Sequence, residues 1–366
     1  MHLREAGEIQ GKHIICVTGS TGVVGFHLIR QLVHAGHEVV AMVRSCSDTH
    51  ALDELVKTGP FKIRFVTCDL PRAKNLVESM RGCDVVVHTA GCVDPHGIPS
   101  DLWEINVEGT KVVLDAAAAA GVQQFIHISS LSVIMGDKDC FGITEDEPLR
   151  YCREAYANSK IEAEKLVMSF DKKHAMKITA LRPGFIYGPN ERSWLPKLIA
   201  AMRWRTAMLV GDGSKETNLI YVENLCRAII LAIKNPVAYG QIYNLTDGQW
   251  VSKRQLFDVI CTGLNISKNR LYIPMFVARS LVDFSSFMAM CAPLRMKSRM
   301  AVFSRPALRL AGLNQGFDIS KAESQLGYID RIPFEEGMAK TLESFAEKQS
   351  RPKRKVSVNR SLQPNN

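Results

Sequence analysis

Tyr156 and Lys160 stand four residues apart, in a stretch from Glu154 to His174 that carries helical periodicity. Side chains at that spacing share a helix face, so the phenol and the ammonium can converge on one ligand. A free phenol ionises at about pH 10 and is a poor acid-base catalyst at neutrality, whereas a neighbouring cation favours the phenolate and lowers that value. The pair therefore points to proton transfer at an oxygen atom, with Lys160 tuning Tyr156 and also able to hold a ligand's hydroxyls. Ser129 and Ser130 close an expected strand, Gln124 to Ser129, and Ser130 precedes the tyrosine by 26 residues. A hydroxyl at such a strand end faces the ligand crevice of a parallel sheet and can hydrogen-bond a carbonyl. YxxxK alone also occurs as a surface pair in many helices, so the elements that carry it decide its meaning.

Those elements alternate. His13 to Thr18, Glu38 to Val43, Lys62 to Cys68, Asp84 to Thr89 and Gln124 to Ser129 read as short β-branched strands. Val23 to His34, Asp48 to Lys57 and Leu102 to Ala120 read as helices between them. Runs such as Val85-Val86-Val87 are apolar without alternation, which suits strands buried on both faces. The order predicts an α/β fold, a doubly wound parallel sheet of the Rossmann kind. Thr18-Gly19-Ser20-Thr21-Gly22-Val23-Val24-Gly25 joins the first strand to the first helix. Glycines there permit a tight turn and close approach of backbone to a pyrophosphate, which the helix N-terminus attracts; the spacing is TGxxGxxG. A dinucleotide site of this kind usually has an acid about 20 residues on, for the adenosine ribose, and an Arg where a 2′-phosphate must be held. Val43 and Arg44 occupy that place, so NADP is favoured over NAD. Asp69, after the third strand, can accept from the adenine amine or cap a turn.

Several strings in register resemble the extended short-chain dehydrogenases/reductases, of the epimerase/dehydratase superfamily. They are TGSTGVVG, DVVVHTAG, NVEGTKVVLDAA, FIHISS, YANSK, LRPGFIYGPNER, YVENL, GQIYNLTDG and DISKAESQLGY, covering residues 12–345. The resemblance implies Tyr156 as general acid in reduction and base in oxidation, Lys160 as its partner and nicotinamide-ribose ligand, and Ser130 as the carbonyl orienter. It also implies dinucleotide contacts at Gly19, Thr21, Gly22, Val23, Val24, Gly25, Arg44, Asp69, Leu70, Thr89, Ala90, Gly91, Asn106, Tyr156, Lys160 and Pro183. Asn106 would support the helix beneath the site and a proton-relay water; a helix cap or helix-helix hydrogen bond fits it equally. In this group a glycine commonly follows the catalytic hydroxyl by about five residues, yet here Gly136 follows Ser130 by six. Either the loop has an extra residue or the hydroxyl belongs to Ser129 or Ser132. Ala155 stands where proline is frequent.

Sugar-nucleotide epimerases and dehydratases share these motifs but typically carry Arg-Asp-Phe before the YV element, where this chain has Thr217-Asn218-Leu219. That version is similar to the 3β-hydroxysteroid dehydrogenase and dihydroflavonol reductase-like branch, which implies a small hydrophobic substrate. An epimerase or dehydratase with recycled NAD(P), and a dinucleotide-binding protein without catalysis, are the alternatives. From Ile273 to Leu294, Val277, Leu281, Phe284 and Met288 recur at helical spacing. Arg295, Lys297, Arg299, Arg305 and Arg309 follow without an acid before Phe317. Residues 273–310 thus fit either a core helix with a basic face or peripheral contact with an anionic membrane. The family also implies a homodimer through the helices of Leu102 and Tyr156, with Ala116 to Ala120 packing across it or against the sheet.

The chain has 366 residues, 46% hydrophobic and 23% charged, which excludes disordered and multi-spanning classes. Its +9 net charge is concentrated at the end, since Lys348, Arg351, Lys353, Arg354, Lys355 and Arg360 meet no acid. The rest carries +3, too little for a nucleic-acid footprint, and no nucleic-acid partner is expected. Ten scattered cysteines form no CxxC pair and no metal spacing, so no metal site is expected, and they read as reduced thiols of a cytoplasmic protein. The first residues lack the apolar core of a secretory signal. The expected organisation is a dinucleotide-binding domain over 12–188, rejoined by 220–245, a substrate lobe of 189–219 and 246–345, and a basic disordered tail, 346–366.

Overall fold

The computed structural model describes residues 11–93, 99–171, 175–268, 271–291 and 305–350. Its centre is a seven-stranded sheet in which every neighbouring pair is parallel. The strands are β1 (Ile14–Thr18), β2 (Glu38–Val43), β3 (Ile63–Thr67), β4 (Val85–His88), β5 (Gln124–Ile128), β7 (Lys177–Pro183) and β11 (Gln241–Leu245). β6 (Cys140–Ile143), β8 (Phe185–Tyr187), β9 (Met208–Val210), β10 (Leu219–Tyr221), β12 (Leu271–Ile273) and β13 (Gln315–Phe317) make three small parallel pairs outside it. The sheet order is β11-β7-β5-β4-β1-β2-β3, so the order in which strands are added reverses between β1 and β4. A crevice opens at such a reversal, beyond the strands' carboxyl ends.

Alternation along the strands sorts the core into two layers. Ile15 and Val17 of β1 join Leu28, Ile29 and Leu32 of α1 (Val23–His34) and Leu225 and Ile229 of α9 (Val222–Ala232) on one face. Cys16 points the other way, towards Val113, Leu114 and Ala117 of α5 (Gly109–Ala119) and Val167 of α7 (Ala155–Asp171). Burying each such Leu, Ile or Val contributes about 1.5–3 kcal/mol. Ala116 and Ala117 are buried in this second layer, whereas Ala119 is exposed. The first layer continues without a break through Tyr187, Leu195, Leu209, Leu256 and Phe334, so one core underlies both the sheet and the residues set over it.

Three expectations need correction. The helix of Leu102 to Ala120 is α4 (Pro99–Trp103), a wide π turn (Glu104–Glu108) and then α5. The π turn swings Asn106 inward, and such turns often sit at functional places. In α11 (Met275–Cys291) the buried positions among the described side chains are Ala278, Val282 and Ser285, not the stripe of Val277, Leu281, Phe284 and Met288. Phe284 is 65% exposed and Phe276 is 72% exposed. The last helix runs from Phe334 to Ser350, into the stretch expected to be a disordered tail. Arg295, Lys297, Arg299 and everything after Ser350 lie outside the described residues.

Candidate active site

The glycine turn closes over the end of β1. Gly19 has φ of +67° and lies so near Ala90 that a Cβ on it would come 2.8 Å from that residue's backbone. A Cβ on Gly25 would meet the Gly19 carbonyl oxygen at 2.3 Å. The sequence needs glycine at both places, one for conformation and one for helix-strand approach. No side chain caps α1 and no acid lies in its first turn, which leaves the first amides directed at the crevice. These features fit a pyrophosphate cradle. The β4 exit is laced to it, with Thr89 Oγ1 donating to the Thr18 carbonyl at 2.7 Å and the Ala90 amide donating to Thr18 Oγ1 at 3.2 Å. Thr18 Oγ1 also lies 2.8 Å from His88 Nδ1, and His88 Nε2 lies 3.0 Å from Thr110 Oγ1. Burial, and then Lys160, push His88 down to about 3, so it is neutral.

One continuous cleft of about 2130 Å³ runs from this cradle to the far lobe. Its wall includes Gly19, Thr21, Gly22, Val23, Val24, Gly25, Arg44, Leu70, Thr89, Ala90, Gly91, Ser130, Tyr156, Lys160 and Pro183. Asp69 and Asn106 stand apart from that wall. Asp69 is exposed and its Oδ1 accepts from the Ser45 amide at 3.0 Å, a turn-capping contact. Asn106 is buried behind Cys92: it accepts from the Cys92 amide at 2.7 Å, donates to its carbonyl at 3.0 Å, and donates to Ser159 Oγ at 3.0 Å. It therefore pins the β4 exit loop to the helix that carries Tyr156.

The three serines separate by their partners. Ser129 is buried and donates to Glu164 at 2.6 Å, and Glu164 is held in turn by Arg182 at 2.6 Å. Ser130 reaches the cleft, where its hydroxyl favours ionisation of the Tyr156 phenol. Its Oγ also accepts from the Ser132 amide at 3.2 Å. Ser132 borders the cleft too, and its hydroxyl has no hydrogen-bond partner.

Lys160 Nζ donates to the Ile128 carbonyl at 2.8 Å. Burial pushes this lysine down to about 8, against the opposing pull of Glu164. The expected acidification of Tyr156 by Lys160 is not what this geometry produces. Burial drives the phenol up to about 12, and Ser130's hydrogen bond opposes it while Glu154 and Cys92 add to it. The ammonium is spent on a backbone carbonyl, so desolvation is the larger effect.

Sequence reasoning missed Glu164, His88 and the pair Glu154–Arg309, whose carboxylate and guanidinium are 2.5 Å apart in the cleft wall. Glu164 had a signal, since it lies four residues beyond Lys160 on the same helix face. Arg309 had none, being 155 residues distant from Glu154.

Comparison with known proteins fits this geometry. The family model described as "NAD dependent epimerase/dehydratase family" matches residues 15–246. The chain belongs to that family. It is an NAD(P)-dependent enzyme of the extended short-chain dehydrogenase/reductase type, on the 3β-hydroxysteroid dehydrogenase-like branch. A 3beta-hydroxysteroid-dehydrogenase/decarboxylase (isoform 1) of Arabidopsis thaliana is 28% identical, over 95% of this chain and 83% of its own length. The 4-hydroxy-2-methyl-3-oxo-4-farnesyl-3,4-dihydroquinoline-1-oxide ketoreductase of Stigmatella aurantiaca is 29% identical, over 88% and 93%. The decarboxylating sterol-4-alpha-carboxylate 3-dehydrogenase of Mus musculus is 27% identical, over 93% and 95%. The dTDP-glucose 4,6-dehydratase DesIV of Streptomyces venezuelae, solved with NAD, superposes with a TM-score of 0.73 over 92% of this chain and 98% of its own, at 24% identity. That likeness is one of fold.

Proposed function

We propose that this family member interconverts a hydroxyl and a ketone on a hydrophobic substrate, with Ser130, Tyr156 and Lys160 as its working side chains. The observation that carries the reading is their meeting in one cleft that begins at the glycine cradle and continues between apolar walls. Beyond Tyr156 that wall includes Met135, Phe185, Leu198, Val210, Ile273 and Leu308. When bound, a nicotinamide dinucleotide supplies or takes up the hydride. Ser130 orients the carbonyl by donating to its oxygen, and Tyr156 delivers the proton to that oxygen as the carbon is reduced; in oxidation the phenolate takes it back. Lys160, anchored on the Ile128 carbonyl, would hold the nicotinamide ribose. The names of the relatives support a lipid-like substrate, since they include sterol and farnesyl-quinoline enzymes.

NADP is the cofactor we favour. The family description names NAD, but β2 of this chain ends at Val43 and is followed by Arg44, with no acid there, and Arg44 lines the cleft. The nearest acid in that wall, Asp48, already accepts from the His50 amide at 3.0 Å. Arg44→Asp is expected to move the NADPH-to-NADH preference of kcat/KM towards NADH; an unchanged ratio removes Arg44 from the argument.

The test of the whole reading is a panel of sterol-like and acyl ketones assayed by reduced-nicotinamide absorbance. Net consumption is expected, and Tyr156→Phe is expected to lower turnover by at least about 10²-fold. Near wild-type turnover in Tyr156→Phe overturns the mechanism. Product formation with no net absorbance change marks instead an epimerase or dehydratase with recycled cofactor. We further propose peripheral contact with an anionic bilayer at the open end of the cleft.

A further inference from the structure

Glu154 lies two residues before Tyr156, in the same cleft wall, and its carboxylate is almost wholly buried. Its counter-ion comes from far along the chain. Arg309, on the helix Arg305–Gly312, brings Nη1 to 2.5 Å from Glu154 Oε2. The same guanidinium lies 3.4 Å from Asp137 Oδ1, just after the serine turn, and 2.9 Å from Cys152 Sγ, in the loop leading to α7. One buried arginine thus grips both loops that present Ser130 and Tyr156. The helix that supplies it packs on β9 and α11, the elements of the far end of the cleft.

We infer that Arg309 is a positioning residue for Tyr156: by neutralising Glu154 it lets the phenol surrender its proton more readily. The inference rests on the proposed role of Tyr156. The groups facing that phenol are Ser130, Glu154, Cys92 and, across the cleft wall, Lys160; those facing Glu154 are Arg309 and Asp137. An unscreened carboxylate beside the phenol opposes phenolate formation, and a neighbouring cation favours it. Without Arg309, Glu154 either keeps its charge and repels the phenolate or takes a proton, and in that case the guanidinium's favourable charge is still missing. Both outcomes make Tyr156 less acidic. Without the Glu154 charge, Arg309 acts on the phenol less opposed, and Tyr156 becomes more acidic.

The experiment is the pH profile of kcat/KM for alcohol oxidation in wild type, Arg309→Met, Glu154→Gln and Arg309→Lys, with Tyr156→Phe as control. Arg309→Met is expected to move the rising limb up by on the order of one pH unit, Glu154→Gln to move it down, and Arg309→Lys to stay near wild type. Shifts of opposite sign are not produced by a residue that only stabilises the fold. Breaking a buried pair can unfold a protein. Should Arg309→Met fail to fold, Glu154→Gln and Arg309→Lys decide alone. Profiles that all coincide, or that both shift upward, overturn the inference and leave the proposed function standing as long as Tyr156→Phe is inactive. An active Tyr156→Phe removes the proposed function itself.

Discussion

At the scale of single residues, adjacent serines have been given different work. The Ser129 hydroxyl completes a buried knot with Glu164 and Arg182, whereas Ser130 faces the phenol. Ser129→Ala leaves one oxygen of a buried carboxylate without its hydroxyl donor, a loss of about 1.5–3 kcal/mol for a hydrogen bond to a charged group. Urea unfolding should show that loss, while the pH dependence of turnover stays in place. Ser130→Ala should do the reverse. Because Ser130's hydrogen bond is what opposes the upward push of burial on Tyr156, its removal raises the pH at which oxidation gains rate and lowers turnover. If the Ser129 and Ser130 variants exchange these phenotypes, the hydroxyl has been assigned to the wrong residue. The TGxxGxxG and YxxxK strings marked the residues proposed to act because their chemistry is local. They left Ser129, Ser130 and Ser132 unresolved because a side chain's partner across the sheet is not written in its neighbours.

At the scale of elements, the turn between β1 and α1 is tightly constrained. A methyl group on Gly25 would press on the Gly19 carbonyl at 2.3 Å, and backbone on both sides leaves no flexible side chain to yield. Gly25→Ala should cost about 1–3 kcal/mol of stability through overpacking and weaken dinucleotide binding more than it slows folding. Calorimetric titration with NADPH and NADH, alongside thermal unfolding, measures both. Unaltered affinity would mean that the cradle does not hold the pyrophosphate. The strands here were legible almost to the residue: Glu38–Val43 has the bounds its β-branched run suggests, and Gln124–Ile128 ends one residue short of the expected Ser129. Buried parallel strands write themselves in uninterrupted apolar residues. The π turn of Glu104–Glu108 was not legible, because its reason lies in Asn106 reaching Cys92 and Ser159. The small pairs β6-β13, β8-β10 and β9-β12 were missed too, since strands of three or four residues carry too few positions to show a period.

At the scale of the whole molecule, the open end of the cleft carries apolar side chains that the core does not claim. Trp204, at the end of α8 (Leu195–Arg203), is 81% exposed and borders the cleft, as does the half-buried Ile273. Phe276, Phe284 and Met288 lie along the outward face of α11, at spacings of eight and four residues. Lys197, Arg203, Arg205 and Arg279 are exposed on the same two segments, against a single exposed acid there, Asp283. Among the described residues no helix is long and apolar enough to cross a membrane. Aromatic side chains among cations instead suit a surface that lies on an anionic bilayer, where each Lys or Arg contributes about 1 kcal/mol. A lipid-like substrate would then enter the cleft without crossing water. Sedimentation with phosphatidylserine-containing vesicles should carry the enzyme down, less so with neutral vesicles or raised salt, because screening weakens the attraction of exposed charges. Replacing Trp204, Phe276 and Phe284 together by Ser should release it while turnover on a detergent-dispersed substrate persists, since none of the three touches Tyr156 or the glycine turn. Equal sedimentation of the triple variant would place the contact on another face, and no sedimentation of the wild type with either vesicle would remove the bilayer from the proposal.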